Sequence, residues 1–322
     1  MPIAVTGSIA TDHLMHFPGR FADQLMVDQL DRISLSFLVD DLAIRRGGSG
    51  ANIAFGLGVL GQSPLLVGAV GGDFAEYQAW LEAHGVDCSA VKVFADVHTA
   101  RFVCTTDDDM RQIGSFYTGA MAHSGEIALA PLRDRVDLAL IGASDPGWML
   151  ATTQECRELG LPFAADVSQQ VTRMEGPDIR QLVEGAHYLM TNDYEFDLLL
   201  RKTGWTEADV AKRVDVRITT LGEHGVQIVS RDSGELKIGV VAETGKVDPT
   251  GVGDAFRAGF LAGTSSGLAL ERAAQLGCLT AVQVLETEGG QEWVWDRTRG
   301  LERLRDAYGP EAAAEIATVL PV

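Results

Sequence analysis

The sequence predicts an α/β protein: a mostly parallel sheet covered by helices on both faces, with a small extra layer of strands over one edge. Three observations carry this reading. Short apolar runs alternate with helix-like patterns at intervals of about 20–30 residues, as parallel strands joined by crossover helices do. Polar groups (Asp166, Asn192 and Thr220) fall where those runs end, the edge at which open α/β sheets bind ligands. Two segments, 13–46 and 97–119, break the rhythm.

Taken in order, "IAVTG" (3–7), "PLLVGAVG" (64–71), "LALIGA" (138–143), "PFAAD" (162–166), "HYLMTN" (187–192) and "VRITTLG" (216–222) read as strands. Between them "GANIAFGLGVLG", "AEYQAWLEAHG", "TTQECRELG", "DYEFDLLLRKTG" and "TEADVAKRV" read as helices. Segment 13–46 is poor in helix signals and contains the strand-like "ISLSFLV". Segment 97–119 reads as a hairpin with a polar tip at Asp107–Asp109. Together the two would form a strand layer over the sheet edge, a lid. After Asp254 the chain reads as helical, apart from the irregular "EGGQEWVWD" (288–296), and no linker divides residues 1–322.

Composition narrows the function classes. The chain of 322 residues carries 45 acids against 26 Lys plus Arg, a net charge of −19. That balance disfavours nucleic acid or an anionic membrane as partner, since a polyanion needs a basic face. The scattered Cys88, Cys104, Cys156 and Cys278 read as reduced thiols of a cytoplasmic protein. The start lacks a basic run and carries Asp12, so no signal peptide is expected. No apolar run approaches the ~20 residues of a membrane span, and the seven histidines form no metal-ligating pair.

The chemistry concentrates in "DPTGVGDAFRAGF" (248–260). Gly251 and Gly253 permit a tight turn, and the apolar run behind them reads as a helix. Gly251, Val252, Gly253 and Asp254 then lie at its N-terminus, where unpaired N–H groups suit an anion such as phosphate. An N-capping Asp after a glycine turn is the plainer alternative. Ser8 and Asp12 follow the first strand and suit a polyol, or a helix cap or turn. Gly47-Gly48 precede Asn52 on an opening helical turn; the pair serves as a hinge, a close-approach site or a plain loop. In "TNDYEFD" (191–197), Asp193 would cap a helix with Glu195 in its first turn, or Glu195 would serve hydrated Mg²⁺. In "TTLGEHG" (219–225), Thr220, Gly222 and Gly225 suit either nucleotide contacts or a tight hairpin.

The order of these motifs, glycine pair with Asn, NxxE, TLGxxG and DxTGxGD, resembles the ribokinase-like (PfkB) family of sugar and nucleoside kinases. The likeness runs from Val5 to at least Phe260, with Pro249 where the family commonly has Thr. Within the family, "AVTGSIATDHLM", "SLSFLVDDL", "HTARFVCTTD", "FAADVSQQ", "TNDYEFDLLL" and "DPTGVGDAFRAGFL" look most like adenosine kinases of actinobacterial type. The resemblance implies one ribokinase-like, three-layer Rossmann-type domain with a β-sheet lid, and ATP- and Mg²⁺-dependent phosphorylation of the adenosine 5′-hydroxyl. By position, Ser8, Asp12, Gly48 and Asn52 would hold the ribose. Ser36, Phe102, Phe116, Gln169 and Gln170 would shape the nucleoside pocket. Asn192, Thr220, Leu221, Gly222, Glu223, His224, Gly225 and Gly253 would contact ATP. Asp254 would be the base beside an anion hole at Gly251, Val252 and Gly253, and Glu195 would serve Mg²⁺ through water. A monovalent cation (K⁺) stays open, as does a homodimer through the lid. The rival within the fold is a kinase of free ribose or fructose. A dinucleotide-dependent oxidoreductase would want GxGxxG after the first strand, and "VTGSIATD" lacks the second and third glycines.

Overall fold

The computed structural model describes residues 2–24, 34–232 and 234–321. Its strands are β1 (Ile3–Thr6), β2 (Ala10–Phe17), β3 (Asp41–Gly47), β4 (Leu65–Gly71), β5 (Asp87–Phe94), β6 (Ala100–Asp107) and β7 (Gln112–Tyr117). There follow β8 (Leu138–Ile141), β9 (Phe163–Asp166), β10 (Tyr188–Asn192), β11 (Val216–Thr220), β12 (Val226–Ser230) and β13 (Gly234–Ile238). The large sheet runs β13-β12-β11-β10-β9-β8-β1-β4-β5. From β5 to β11 every pairing is parallel, and the β11–β12 and β12–β13 hairpins close one edge.

Helices cover both faces, which is why the central strands are apolar without alternation. Ile3, Val5, Leu138 and Leu140 face one core with Phe55, Phe256 and Phe260. Their neighbours Ala4, Ala139 and Ile141 face the other with Trp148, Ile179 and Leu199. The expected strands and helices are present, with shifted bounds. The helix read at 152–160 begins earlier, at Pro146–Leu159, because Asp145 caps it through the Trp148 N–H. That read at 206–214 stops at Glu207–Ala211.

The small sheet has the order β3-β2-β6-β7. The 97–119 hairpin is present, with its tip closed by Asp107, whose carboxylate accepts from the N–H groups of Phe21, Asp109 and Arg111. Between β2 and β6 the pairing is parallel, so the layer is a mixed sheet. The strand expected in "ISLSFLV" is corrected: residues 34–39 are irregular, and β3 begins at Asp41. Ile33, with the rest of 25–33 in the expected lid segment, lies outside the described residues.

Register sorts the two faces of this sheet. Arg45, Asp12, Phe102 and Phe116 form one row across it, on a single face. The opposite face carries His13, Met15, Leu42, Ile44, Val103 and Ile113, with Leu42, Ile44 and Ile113 exposed.

Candidate active site

The helix Val252–Ser265 begins at Gly251, which has φ 78°. A Cβ there would stand 2.9 Å from the Gly290 Cα, so glycine is required twice over. Asp248 shapes the turn by accepting the Thr250 N–H at 2.8 Å and the Gly289 N–H at 2.9 Å. The first full helical bond runs from the Ala255 N–H to the Gly251 carbonyl, so the N–H groups of Gly251, Gly253 and Asp254 precede the ladder. Pro249 withholds no donor this turn needs; its carbonyl accepts the Val252 N–H.

Asp254 does not cap its helix through its side chain; the carboxylate points across to the helix Ser49–Val59. There the Ser49 hydroxyl donates to Oδ1 at 2.8 Å and the Asn52 amide to Oδ2 at 2.9 Å. Burial raises the Asp254 carboxyl above its ordinary range and the Asp166 charge adds to the rise, against the pull of Asn52, Arg257 and Ser49. Two donors on an acceptor-only group mark it as a carboxylate ready to take one more proton-bearing partner.

The glycine pair is a close-approach site. Gly48 has φ 92°, and a Cβ there would lie 2.5 Å from the Ser8 carbonyl oxygen; one at Gly47 would lie 2.6 Å from Asp12 Oδ2. Ser8 Oγ accepts the Ser49 N–H at 3.0 Å, tying β1 to the start of that helix. Asp12 lies on β2, and its carboxylate makes no hydrogen bond to another described residue. Burial and the Asp248 charge push its carboxyl up to about 6. An unpartnered, half-buried carboxylate is costly, which is the mark of a group waiting for a ligand.

Phe102 and Phe116 stand opposite one another across β6 and β7, beside Asp12 in the same row. Phe102 is half-buried, while Phe116 is 44% exposed. Gln169 and Gln170 lie on a 3₁₀ turn after β9. Gln169 is exposed, whereas Gln170 is buried and donates to the Ser144 carbonyl at 2.7 Å. Ser36 is exposed in the irregular 34–39 segment.

At the sheet's carboxyl edge Asn192 and Thr220 are register partners on β10 and β11. The stretch Leu221, Gly222, Glu223, His224 and Gly225 makes the tight hairpin into β12, with the Leu221 N–H bonded to the Gly225 carbonyl. The helix cap is corrected. Asn192, in place of Asp193, accepts the Glu195 N–H at 2.7 Å, and Glu195 Oε2 accepts the Asn192 N–H at 2.8 Å. This is a reciprocal capping box.

Sequence reasoning missed the ion pair beneath the site. Arg257 donates to Asp166 Oδ1 at 2.7 Å, its Nε stands 2.6 Å from Oδ2, and it reaches the Gly253 carbonyl at 3.0 Å. Glu195 Oε2 stands 4.0 Å from this guanidinium. The available signal was an arginine inside the apolar run "DAFRAGF", which a buried helix tolerates only with a partner. Ser49, which donates to Asp254, and Gln291, which donates to Asn52, were missed as well.

A divalent cation fits this charge pattern. Asp166, Glu195 and Asp254 surround the single Arg257, leaving negative charge uncompensated. Among the described residues no three His, Cys, Asp or Glu side chains form a metal cage. Hydrated Mg²⁺ needs only one or two carboxylates besides substrate phosphates.

Residues 21–297 match the pfkB family carbohydrate kinases. A nucleoside kinase from Methanocaldococcus jannaschii is 30% identical over 262 residues, spanning 80% of this chain and 85% of that protein. One from Methanothermobacter thermautotrophicus is 27% identical over 313 residues, spanning 96% and 97%. The structure of a Burkholderia thailandensis nucleoside kinase in complex with inosine superposes with TM-score 0.83 at 35% identity, covering 96% of this chain and 98% of that one. These relatives are named nucleoside kinases and not adenosine kinases in particular. The chain belongs to the pfkB carbohydrate kinase family and is a phosphotransferase of ribokinase-like fold.

Proposed function

We propose that the protein transfers the γ-phosphoryl group of ATP to the 5′-hydroxyl of a purine nucleoside, with adenosine as the principal acceptor and AMP as product. The observation that carries this reading is the pairing of Asp254, held by Ser49 and Asn52 at a glycine-led helix start, with the unpartnered carboxylate of Asp12. Ser8, Asp12, Gly48 and Asn52 hold the ribose, Asp12 accepting from sugar hydroxyls. Phe102 and Phe116 offer aromatic faces on the same row as Asp12, which suits a base more than a free sugar. Ser36, Gln169 and Gln170 complete the nucleoside pocket. The inosine complex of the Burkholderia relative supports a purine. Asn192, Gly253 and the Thr220–Gly225 turn receive ATP.

Asp254 orients the 5′-hydroxyl and collects its proton late, as the new O–P bond forms and the bond to the β-phosphate oxygen breaks, releasing ADP. The anion-hole expectation is corrected at Val252, whose N–H is taken by the Pro249 carbonyl; the N–H groups of Gly251 and Gly253 face the transferred phosphoryl oxygens. Glu195 would hold Mg²⁺ through water, and the ion would supply positive charge against the phosphates of ATP. The exposed apolar face of the small sheet favours a homodimer through the lids.

The test is ATP consumption with adenosine, guanosine, ribose and fructose, on wild type and Asp254→Asn. Adenosine is expected to give the highest kcat/KM, and Asp254→Asn to lose about 10²–10⁴-fold in kcat. Preference for a free sugar overturns the substrate; near wild-type turnover of the variant overturns the base.

A further inference from the structure

Gln291 is buried in the 288–296 stretch and makes no contact that phosphoryl transfer itself demands. Its amide donates to Asn52 Oδ1 at 2.9 Å and to the Tyr77 hydroxyl. Tyr77 donates onward to the Gly47 carbonyl at 2.9 Å, and Asn52 turns its nitrogen to Asp254.

With Asp254 ionised, the direction of every link is forced. The Asp254 carboxylate and the Gly47 carbonyl only accept, so Asn52 must present Nδ2 and Tyr77 its proton. Asn52 Oδ1 and the Tyr77 oxygen are then both acceptors, and the two protons on one Gln291 nitrogen serve both. Gln291 Oε1 has no hydrogen-bond partner among the described residues, so the side chain is held by its nitrogen alone. The adjoining backbone is equally fixed: a Cβ on Gly290 would stand 3.0 Å from Asn52 Nδ2, and the Gly289 N–H is bonded to Asp248.

We propose that Gln291 is a positioning residue that locks the Asn52 amide nitrogen toward Asp254 and ties that orientation, through Tyr77, to Gly47 at the root of the small sheet. This rests on Asp254 as the proton acceptor. Without the Gln291 donor, Asn52 can turn its oxygen to the carboxylate, which repels the ionised form and accepts a hydrogen bond from the protonated one. The other groups facing Asp254 are Ser49 on the neighbouring helix, Arg257 on its own helix, Asp166 at the end of β9 and Glu195 after β10. Replacement at 291 leaves all four in place.

The experiment is the pH profile of kcat for Gln291→Met, which keeps the length and removes both donors. The acid limb is expected to move up by about one pH unit, so kcat falls about tenfold below the limb and far less on the alkaline plateau. Tyr77→Phe should move it in the same direction by less. In an Asn52→Ala background, Gln291→Met should shift the limb no further, because the residue acts through Asn52. If Gln291→Met does not fold, Gln291→Leu, which also lacks both donors and adds no charge, is read in the same way. An unmoved limb in a folded variant, or an additive shift on Asn52→Ala, overturns the proposal. Asp254→Asn separates the two failures: retained turnover there condemns the base, whereas an unmoved limb in an enzyme that needs Asp254 condemns Gln291 alone.

Discussion

Asp12→Asn is expected to stabilise the free protein while weakening its hold on substrate, and pH separates the two effects. The Asp12 carboxyl is pushed up to about 6 by burial and by Asp248, with no hydrogen bond to compensate. Between the ordinary carboxylate range and pH 6, the folded chain keeps a proton that the unfolded chain has already lost. The contribution is therefore full below the unfolded pKa, falls as pH rises, and is gone above about 6. A rise of that size corresponds to about 3 kcal/mol, which the water still reaching the side chain reduces to about 2 kcal/mol. Asparagine carries no charge at any of these pH values. The variant should be the more stable by about 2 kcal/mol at pH 8, with the gap nearly closed at pH 4. Urea unfolding of both proteins at pH 4, 6 and 8 reads this, since the other acids cancel in the difference. Steady-state kinetics at pH 8 should show the nucleoside KM raised about 10²-fold, from the loss of charge-assisted hydrogen bonds to the sugar. Equal stability at pH 8, or a gap that persists at pH 4, would refute the claim that Asp12 is an uncompensated carboxylate.

Phe102→Ala should lower kcat/KM for adenosine about 5–150-fold, the equivalent of one aromatic contact to a base, while phosphorylation of the best free sugar changes far less. A parallel fall on both substrates would mean that the hairpin itself was damaged. Glu195→Gln keeps an oxygen to accept the Asn192 N–H, so the helix start should survive and the Mg²⁺ concentration for half-maximal rate should rise several-fold, with a smaller change in adenosine KM. An unchanged Mg²⁺ titration would leave Glu195 with its capping role alone. Sedimentation at micromolar concentration should find a dimer that Leu42→Lys combined with Ile44→Glu dissociates; a monomeric wild type would rule out pairing through the outer face of the small sheet.

What the sequence by itself determined is the series of buried strands and the glycine turns. A strand covered on both faces must be apolar throughout, as "IAVTG" and "LALIGA" are. A turn that admits no Cβ must contain glycine, as at Gly48 and Gly251. These are local demands, and local sequence answers them. The cap at Asn192 was misplaced by one residue, because Asn192 and Asp193 both have the chemistry and only the backbone, extended at Asn192, decides which of them points at the Glu195 N–H. The tertiary structure alone decided which polar groups meet. Ser49 and Asn52 reach Asp254 across 205 and 202 residues, Gln291 reaches Asn52 across 239, and Arg257 reaches Asp166 across 91. Likewise, Asp12 and Phe102 share a row only because β2 pairs with β6 in parallel. A polar side chain announces that it needs a partner once buried, but which partner it finds is set by how distant segments pack, and no local pattern encodes that.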